Sequence, residues 1–235
     1  MIDGSRLYLS APVNAIVEGI YEEHIPFSEI KRHGDFGLGT FDLLDGEMVM
    51  LDGRIYQMTA DGCVQEVGDD MLTPFACVTF FQLERRLELD GEMNYDAFLH
   101  HLQKPLPSPN IFYAFRITGE FAYMKVRSVP KSECYIPLVE IAKEQPTFEF
   151  ENITGTLAGF YTPEFMASVS VPGMHLHFLS DDLAHGGHLL GCRPRRVSVD
   201  IQPLYTVELA LPTTPYYLGW DFRRDVADDL EKAER

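Results

Sequence analysis

The chain has 235 residues, of which 46% are hydrophobic, and its 36 acidic and 19 basic side chains give a formal net charge of −17. This composition is typical of a folded globular protein rather than a disordered one. Because so many carboxylates repel phosphate backbones and anionic lipids, the charge argues against nucleic-acid binding and against a membrane-surface protein. The expected partners are therefore small molecules or other proteins.

The cellular compartment is predicted from three sequence features. No run approaches the roughly 18 apolar residues that a transmembrane helix needs. The first twelve residues lack the basic start and apolar core of a secretory signal. The four cysteines stand singly and are expected to be reduced thiols, at Cys63, Cys77, Cys134 and Cys192. Together these features favour a cytoplasmic protein.

The first third of the chain predicts short strands joined by tight turns. The dipeptide Asp-Gly, which suits type I′ hairpin turns, recurs at positions 45–46, 52–53 and 61–62. An antiparallel meander is therefore predicted over residues 41–67. The apolar runs at 74–81 and 111–126 are expected to be further strands of the same sheet.

Helices are predicted to be few and short, over residues 26–33, from Asn94 to about residue 102, over 137–144 and over 222–233. Ser28 and Asn94 are suitable N-cap residues, and Gly34 is a usual stop signal. The stretch 129–132 is the predicted boundary between two β-rich halves, residues 1–130 and 131–235. The fold class expected is α/β in a β-rich form, with mixed sheets and few helices.

Four of the eight histidines lie within fourteen positions, at His175, His177, His185 and His188. Residues two apart in a strand point to the same face, so His175 and His177 can aim at one point. The segment LSDDLAHGG contains turn-forming residues, and a hairpin there would return His188 beside the pair. Three imidazoles with a fourth position open are the arrangement expected of a catalytic zinc site.

Other interpretations of these histidines stay open. A polar strand edge whose histidines bond to the backbone would show the same spacing. His185 lies inside the predicted turn and is expected to be solvated rather than to bind metal. Taken by residue pattern alone, Glu47 is an ordinary hairpin carboxylate, and Arg116 and Arg127 are strand-end surface residues or binders of an anionic substrate.

Several segments in order along the chain resemble the α-acetolactate decarboxylase family. They are GDFGLGTFDLLDGEMVMLDG (34–53), TPFACVTFF (73–81), the YAFRITGEF…KVRSVP stretch (113–130) and GMHLHFLSDDLAHGGHLLGC (173–192), with SAPVNAIVEGIYE (10–22) at the opening. The resemblance implies conversion of 2-acetolactate to acetoin and CO₂ with a zinc ion held by three histidines. It also implies two β-rich domains, here residues 1–130 and a zinc-binding 131–235, in a homodimer.

Carried over position by position, the resemblance identifies site residues. The zinc ligands match His175, His177 and His188, the same three that strand spacing selects. The family's active-site glutamate matches Glu47, and its active-site arginine matches Arg127. A nearby threonine matches Thr40, which with Arg127 would bind the substrate, and a carboxylate from the C-terminal tail matches Glu234. For Glu47 and Arg127, the resemblance reverses the expectation from pattern alone.

The chemistry explains why a site of this kind would use these residue types. Loss of CO₂ from acetolactate leaves electron density on the neighbouring ketone as an enediolate, which a Lewis-acidic zinc ion would stabilise. Arg127 could hold the departing carboxylate or the enediolate, and Glu47 could take or relay a proton. Delivery of the proton that makes acetoin chiral is expected from the region of Arg127 and Glu47, with their separate roles left open.

Two other function classes fit a His-x-His pair followed by a third histidine. One is a metal-dependent dioxygenase or hydrolase with a double-stranded β-helix, which usually adds a carboxylate ligand shortly after the pair. Asp181 and Asp182 are the nearby candidates, and they are expected to be turn residues. The other is a metal-stabilised binding module, in which a fourth protein ligand completes the coordination.

Overall fold

The computed structural model of the chain describes residues 5–22, 24–132 and 134–234, and the side chains of residues 144 and 231–234 lie outside that description. In chain order the strands are β1 (Arg6–Leu9), β2 (Ile25–Pro26), β3 (Phe36–Thr40), β4 (Glu47–Leu51), β5 (Arg54–Met58), β6 (Val64–Val67), β7 (Leu72–Thr73), β8 (Ala76–Thr79), β9 (Arg85–Asp90), β10 (Phe112–Arg127), β11 (Thr147–Thr162), β12 (Gly173–Ser180), β13 (Gly186–Leu204) and β14 (Thr206–Leu209). The helices are α1 (Val13–Val17), α2 (Phe27–Ile30), α3 (Tyr95–Gln103), α4 (Leu138–Ile141), α5 (Pro215–Gly219) and α6 (Ala227–Glu234). The predicted β-rich fold with few helices is confirmed.

The first sheet has seven strands in the order β14-β1-β8-β3-β4-β5-β6. Strand β14 runs parallel to β1, and the other pairings are antiparallel, so the sheet is mixed. Strands β4, β5 and β6 form the meander that the Asp-Gly pairs predict, and Gly46, Gly53 and Gly62 all have positive φ. The prediction for residues 41–67 is thus confirmed, with β3 as one further antiparallel neighbour.

The second sheet has five strands in the order β10-β11-β12-β13-β9 and is antiparallel throughout. Because β10 pairs with β13 as well as with β11, strands β10 to β13 form a closed ring. The expectation that residues 111–126 continue the first sheet is wrong. Hydrophobicity predicts that a segment forms a strand, whereas its sheet is decided by pairing with strands far along the chain.

The two sheets divide the chain between β8 and β9, except that β14 returns to the first sheet. Strands β9 and β10, which precede residue 130, pair with strands that follow it. The domain division at residues 130/131 stays a prediction.

The helices follow the predictions in part. Asn94 caps α3 by accepting a hydrogen bond from the Ala97 N–H, and Phe98 and Leu102 are buried on its inner face. Helix α4 starts after Pro137 as predicted. The predicted Ser28 cap is wrong, because α2 begins at Phe27 with Pro26 in the cap position and no side-chain cap. The last helix begins at Ala227 rather than near residue 222.

One apolar core joins the first sheet, the second sheet and three helices. Val13 and Ile16 of α1, Leu138 of α4 and Leu230 of α6 are buried in it together with strand residues such as Phe160. Each large apolar side chain buried in this way contributes about 1.5–3 kcal/mol. The core thus fixes the two sheets and these helices against one another. Within the described residues, none of the helices has the length and apolar composition that crossing a lipid bilayer requires.

Candidate metal centre

Three buried histidines meet on the hairpin of β12 and β13. His175 and His177 lie two residues apart on β12, and His177 is directly opposite His188 in the register of the two strands. Ligand atoms of the three side chains all lie within 4.8 Å of one another. The structure thereby confirms that the hairpin brings His188 beside the pair, and it identifies a group suited to a metal ion.

Burial lowers the pKa of His175 and of His177 and so favours their neutral form, which is the form that binds metal. Desolvation, and then the nearby positive charge of Arg127, lower the pKa of His175 to about 3. The pKa of His177 is held well below its ordinary value, first by desolvation and then by the charge of His175. At neutral pH both rings therefore offer a lone pair without losing a proton first.

A backbone carbonyl fixes the orientation of the central ligand. His177 Nδ1 lies 2.9 Å from the Met48 carbonyl oxygen on β4. Because a carbonyl can only accept, Nδ1 carries the hydrogen and donates, and the lone pair of Nε2 faces the other histidines. His188 Nδ1 lies 3.4 Å from that Nε2 atom.

Glu47, Thr40 and Arg127 reach this group from three other strands, and all three are buried. Glu47 begins β4, and its Oε2 lies 3.4 Å from His177 Nε2. Thr40 is opposite Glu47 in the register of β3 and β4, and its hydroxyl donates to the Gly46 carbonyl at 2.8 Å. Arg127 ends β10 directly opposite His188. The structure thus brings these three predicted site residues together with the histidines.

A glycine permits the close approach of β13 to β10 at this point. Gly187 has φ = +144°, a conformation that L-residues rarely adopt, and a Cβ atom there would overlap the Arg127 carbonyl oxygen. Glycine alone satisfies both conditions. The tight Gly-Gly corner therefore sets the separation between the strand carrying Arg127 and the strand carrying His188.

The side chains predicted to stay outside the site have other contacts. The ring of His185 packs on Phe150 with centroids 4.4 Å apart. The Asp182 carboxylate accepts from the Ala184 N–H inside the turn, and Asp181 precedes it there. Arg116 lies over the rings of Phe36 and Phe81 and pairs with Asp52 at 2.7 Å.

The C-terminal tail is described in part. Helix α6 extends to Glu234, and Val226 and Leu230 are buried as their spacing of four predicts. The Glu234 side chain lies outside the described residues, so its place in the site stays a prediction.

The histidines, Glu47 and Arg127 open into a cleft with about 520 Å³ of empty space. Helices α1 and α4 supply apolar walls that include Val13, Ile16 and Leu138. Sequence reasoning did not identify these walls, nor Gln145, which also lines the cleft. Their signal is weak because short apolar helices and a lone glutamine occur throughout globular proteins. The Met48 carbonyl gives no sequence signal at all.

Comparisons with known proteins agree with this geometry. The family model for alpha-acetolactate decarboxylase matches residues 7–224. The alpha-acetolactate decarboxylase of Methanosarcina mazei is 40% identical over 97% of this chain and 80% of its own length, and that of Bacillus licheniformis is 37% identical over 97% and 91%. The crystal structure of alpha-acetolactate decarboxylase from Bacillus subtilis strain 168 superimposes with a TM-score of 0.95 at 34% identity, covering 98% of this chain and 99% of that one.

Proposed function

Because this chain belongs to the alpha-acetolactate decarboxylase family, we propose that it is a zinc enzyme that converts 2-acetolactate to acetoin and CO₂ with stereospecific protonation. The single observation that carries the proposal is the group of three histidines that lines a cleft together with Glu47 and Arg127. A decarboxylase of this type needs a Lewis acid, a cation and a proton relay in one place. The cleft contains residues suited to each.

The separation of one histidine pair supports a tetrahedral zinc ion. Zinc–nitrogen bonds of about 2.0–2.1 Å at tetrahedral angles separate neighbouring ligand nitrogens by about 3.3–3.4 Å. The separation of 3.4 Å between His188 Nδ1 and His177 Nε2 agrees with that value. His175, His177 and His188 would hold the ion. When bound, zinc supplies a Lewis acid that withdraws electron density from coordinated oxygen atoms.

Arg127 is proposed to bind the acidic end of the substrate. Its guanidinium stays charged at any working pH, and it lies in a buried wall where attraction to a carboxylate is only weakly screened. Thr40 is proposed to line the substrate position. Since its hydroxyl hydrogen is donated to Gly46, its oxygen is oriented as an acceptor towards a substrate hydroxyl.

Glu47 is proposed to move the proton. An ionised carboxylate can accept the proton of the substrate hydroxyl and deliver it to the carbon that has lost CO₂, and one proton from water then restores the hydroxyl, because loss of CO₂ from a carboxylate consumes one proton. The buried position of Glu47 on a rigid strand would present that proton to one face of the planar intermediate. Acetoin of a single handedness is the expected product.

The remaining parts of the proposal rest on the family resemblance. We propose that Glu234 adds a second carboxylate to the site and that the chain forms a homodimer of two-domain subunits. The cytoplasmic location is proposed on the sequence features given above and not on the resemblance. Light scattering of the pure protein tests the dimer. A mass equal to one chain at micromolar concentration would overturn it.

The experiment that tests the function is incubation of pure, zinc-loaded protein with racemic 2-acetolactate, scored for acetoin and its handedness. Formation of one acetoin enantiomer that stops on chelation and resumes with zinc is the expected result. Absence of acetoin from folded, zinc-loaded protein would refute the proposed reaction. The carboxylates that follow the histidine pair, Asp181 and Asp182, lie in the turn and are not members of the metal-binding group, so the dioxygenase alternative gains no support.

A further inference from the structure

Gln145 lines the cleft and carries a buried side-chain donor that has no hydrogen-bond partner among the described residues. It follows a 3-10 helical turn over Ala142–Glu144 and lines the same cleft as the histidines. Its Nε2 atom is buried and makes no hydrogen bond within the described structure. A buried N–H group left in this state costs about 1–3 kcal/mol. Such a group calls for an explanation, and a ligand bound in the cleft supplies one.

The other polar side chains that line the cleft leave few donors for a bound acid. The Thr40 hydroxyl hydrogen is donated to Gly46, and the N–H of His177 is donated to Met48. Glu47, when ionised, only accepts. Among the described lining residues, the Gln145 amide thus offers a neutral donor that the fold leaves unbonded, and Arg127 supplies positive charge.

Strand register places the Gln145 backbone on the far side of Arg127 from the histidines. Arg127 is opposite His188 on one neighbouring strand and opposite Thr147 on the other. Gln145 lies two residues before Thr147, and the Ser128 N–H donates to the carbonyl of the intervening Pro146 at 3.2 Å. The Gln145 backbone therefore lies across the end of β10 from His188. A bound zinc ion would take the hydroxyl and ketone oxygens of the substrate, which leaves the carboxylate for the remaining donors of the cleft.

We propose that Gln145 is a substrate-binding residue whose side-chain amide donates a hydrogen bond to the carboxylate of a bound 2-hydroxy-3-oxo acid. The proposal rests on the decarboxylase function proposed above and extends it to specificity. The Gln145 amide would bind the substrate carboxylate before the reaction, and this hydrogen bond would be released as CO₂ departs. Its contribution therefore belongs to ground-state binding more than to the chemical step.

The test compares binding of two unreactive probes to zinc-loaded wild-type protein and Gln145→Leu. One probe is 2,3-dihydroxy-2-methylbutanoate, in which a hydroxyl replaces the ketone, and the other is butane-2,3-diol, which lacks the carboxylate. We expect Gln145→Leu to raise the Kd of the acid at least about tenfold, since a hydrogen bond to a charged group is lost, and to leave the diol unchanged. Titration calorimetry and ligand-observed NMR measure the two values.

Matched variants separate this role from a structural one. Gln145→Glu should weaken the acid further by charge repulsion, whereas Gln103→Leu, at the exposed end of α3, should change neither Kd. Removing an unpartnered buried donor should leave the Tm of Gln145→Leu at or above that of wild type. Gln145→Met provides a second donor-free variant should the leucine protein fail to fold.

Two results would overturn the inference: an unchanged Kd for the acid in the donor-free variants, or equal weakening of both probes. Acetoin formation by the wild type distinguishes failure of the Gln145 role from failure of the proposed reaction. With acetoin formed and the acid Kd unchanged, only the role of Gln145 is refuted. Without acetoin from the wild type, the proposed reaction is refuted, and the binding comparison still decides whether Gln145 holds a carboxylate.

Discussion

The three histidines are held in place by different contacts. His177 donates to a backbone carbonyl of the first sheet, whereas His188 is fixed by its register opposite both His177 and Arg127. His175 shares the inner face of β12 with His177, and their ring centroids are 5.1 Å apart. A substitution at any one of them removes a ligand without removing the supports of the other two.

Replacing His175, His177 or His188 by alanine should therefore remove bound zinc and lower turnover by roughly a hundredfold or more. Replacing a residue that only supports a metal ligand already costs about 10–100-fold in metal affinity or activity, and loss of the ligand itself should cost at least as much. His185→Ala is the control, and it should keep most of both because its ring packs on Phe150 outside the group. Elemental analysis and acetoin assays measure the outcome. Stoichiometric zinc in the His188→Ala protein would contradict the assignment.

Arg127→Lys should bind zinc normally and lower kcat/KM roughly 10–100-fold, because lysine keeps the charge but loses the planar fork that holds a carboxylate. Arg116→Lys is the matched control. It should lose at most about 1 kcal/mol of stability from its contacts with Phe36 and Phe81 and should turn over normally. If Arg116→Lys were the inactive variant, the wrong arginine would have been placed in the site.

At the scale of single elements, the corner at the start of β13 is the most constrained part of the site. Gly187→Ala forces a side chain into a positive-φ position and against the Arg127 carbonyl, so we expect a loss of about 1–3 kcal/mol of stability and weaker zinc binding. Gly191→Ala lies on the same strand, where the nearest neighbour of a new Cβ is 4.0 Å away, and should be tolerated. Thermal melts and zinc titrations of the Gly187→Ala and Gly191→Ala proteins measure the two effects. Equal effects at both positions would contradict the argument.

The C-terminal helix provides a second test at this scale. Deleting residues 234–235 should cut turnover sharply and leave folding and zinc content nearly intact, because Val226 and Leu230, which anchor α6 in the core, remain. Comparing acetoin formation with zinc content separates a lost side chain from a lost fold. Full activity of the truncated protein would remove Glu234 from the site.

Local patterns predict the elements of this chain better than their assembly. The Asp-Gly pairs predict the β4–β6 meander, and the His-x-His spacing predicts the metal-binding group, because both depend on residues close in sequence. The sheet that β10 joins depends on pairing with β11 and β13, which hydrophobicity does not encode. For Glu47 and Arg127, residue pattern alone favoured ordinary surface roles, since their burial results from packing of distant strands.

Across the whole molecule, the site lies where the two sheets meet. The first sheet supplies Glu47 and the Met48 carbonyl, and the second supplies Arg127 and the three histidines. A metal ion bound here would therefore stabilise the contact between sheets as well as the hairpin that carries its ligands.

Removing zinc should for this reason lower the Tm of the whole chain. At free zinc a hundredfold above its Kd, binding adds about 2.7 kcal/mol to the folded state, or about 5–10 °C in a protein of this size. The His188→Ala protein is the control, and its Tm should not respond to zinc. An unchanged Tm of wild-type protein after full chelation would show that the ion is not coupled to the fold.

The parallel pairing of β1 with β14 has a consequence for how the protein is made. β1 is synthesised before the other strands of the first sheet, and among the described residues its outer edge pairs with Thr206–Leu209, which follows every strand of the second sheet. Exposed strand edges readily pair with other chains. While the ribosome is still adding residues, the first sheet therefore presents an open edge at β1. Several ribosomes on one messenger RNA hold nascent copies of this chain close together, which favours pairing between their open edges.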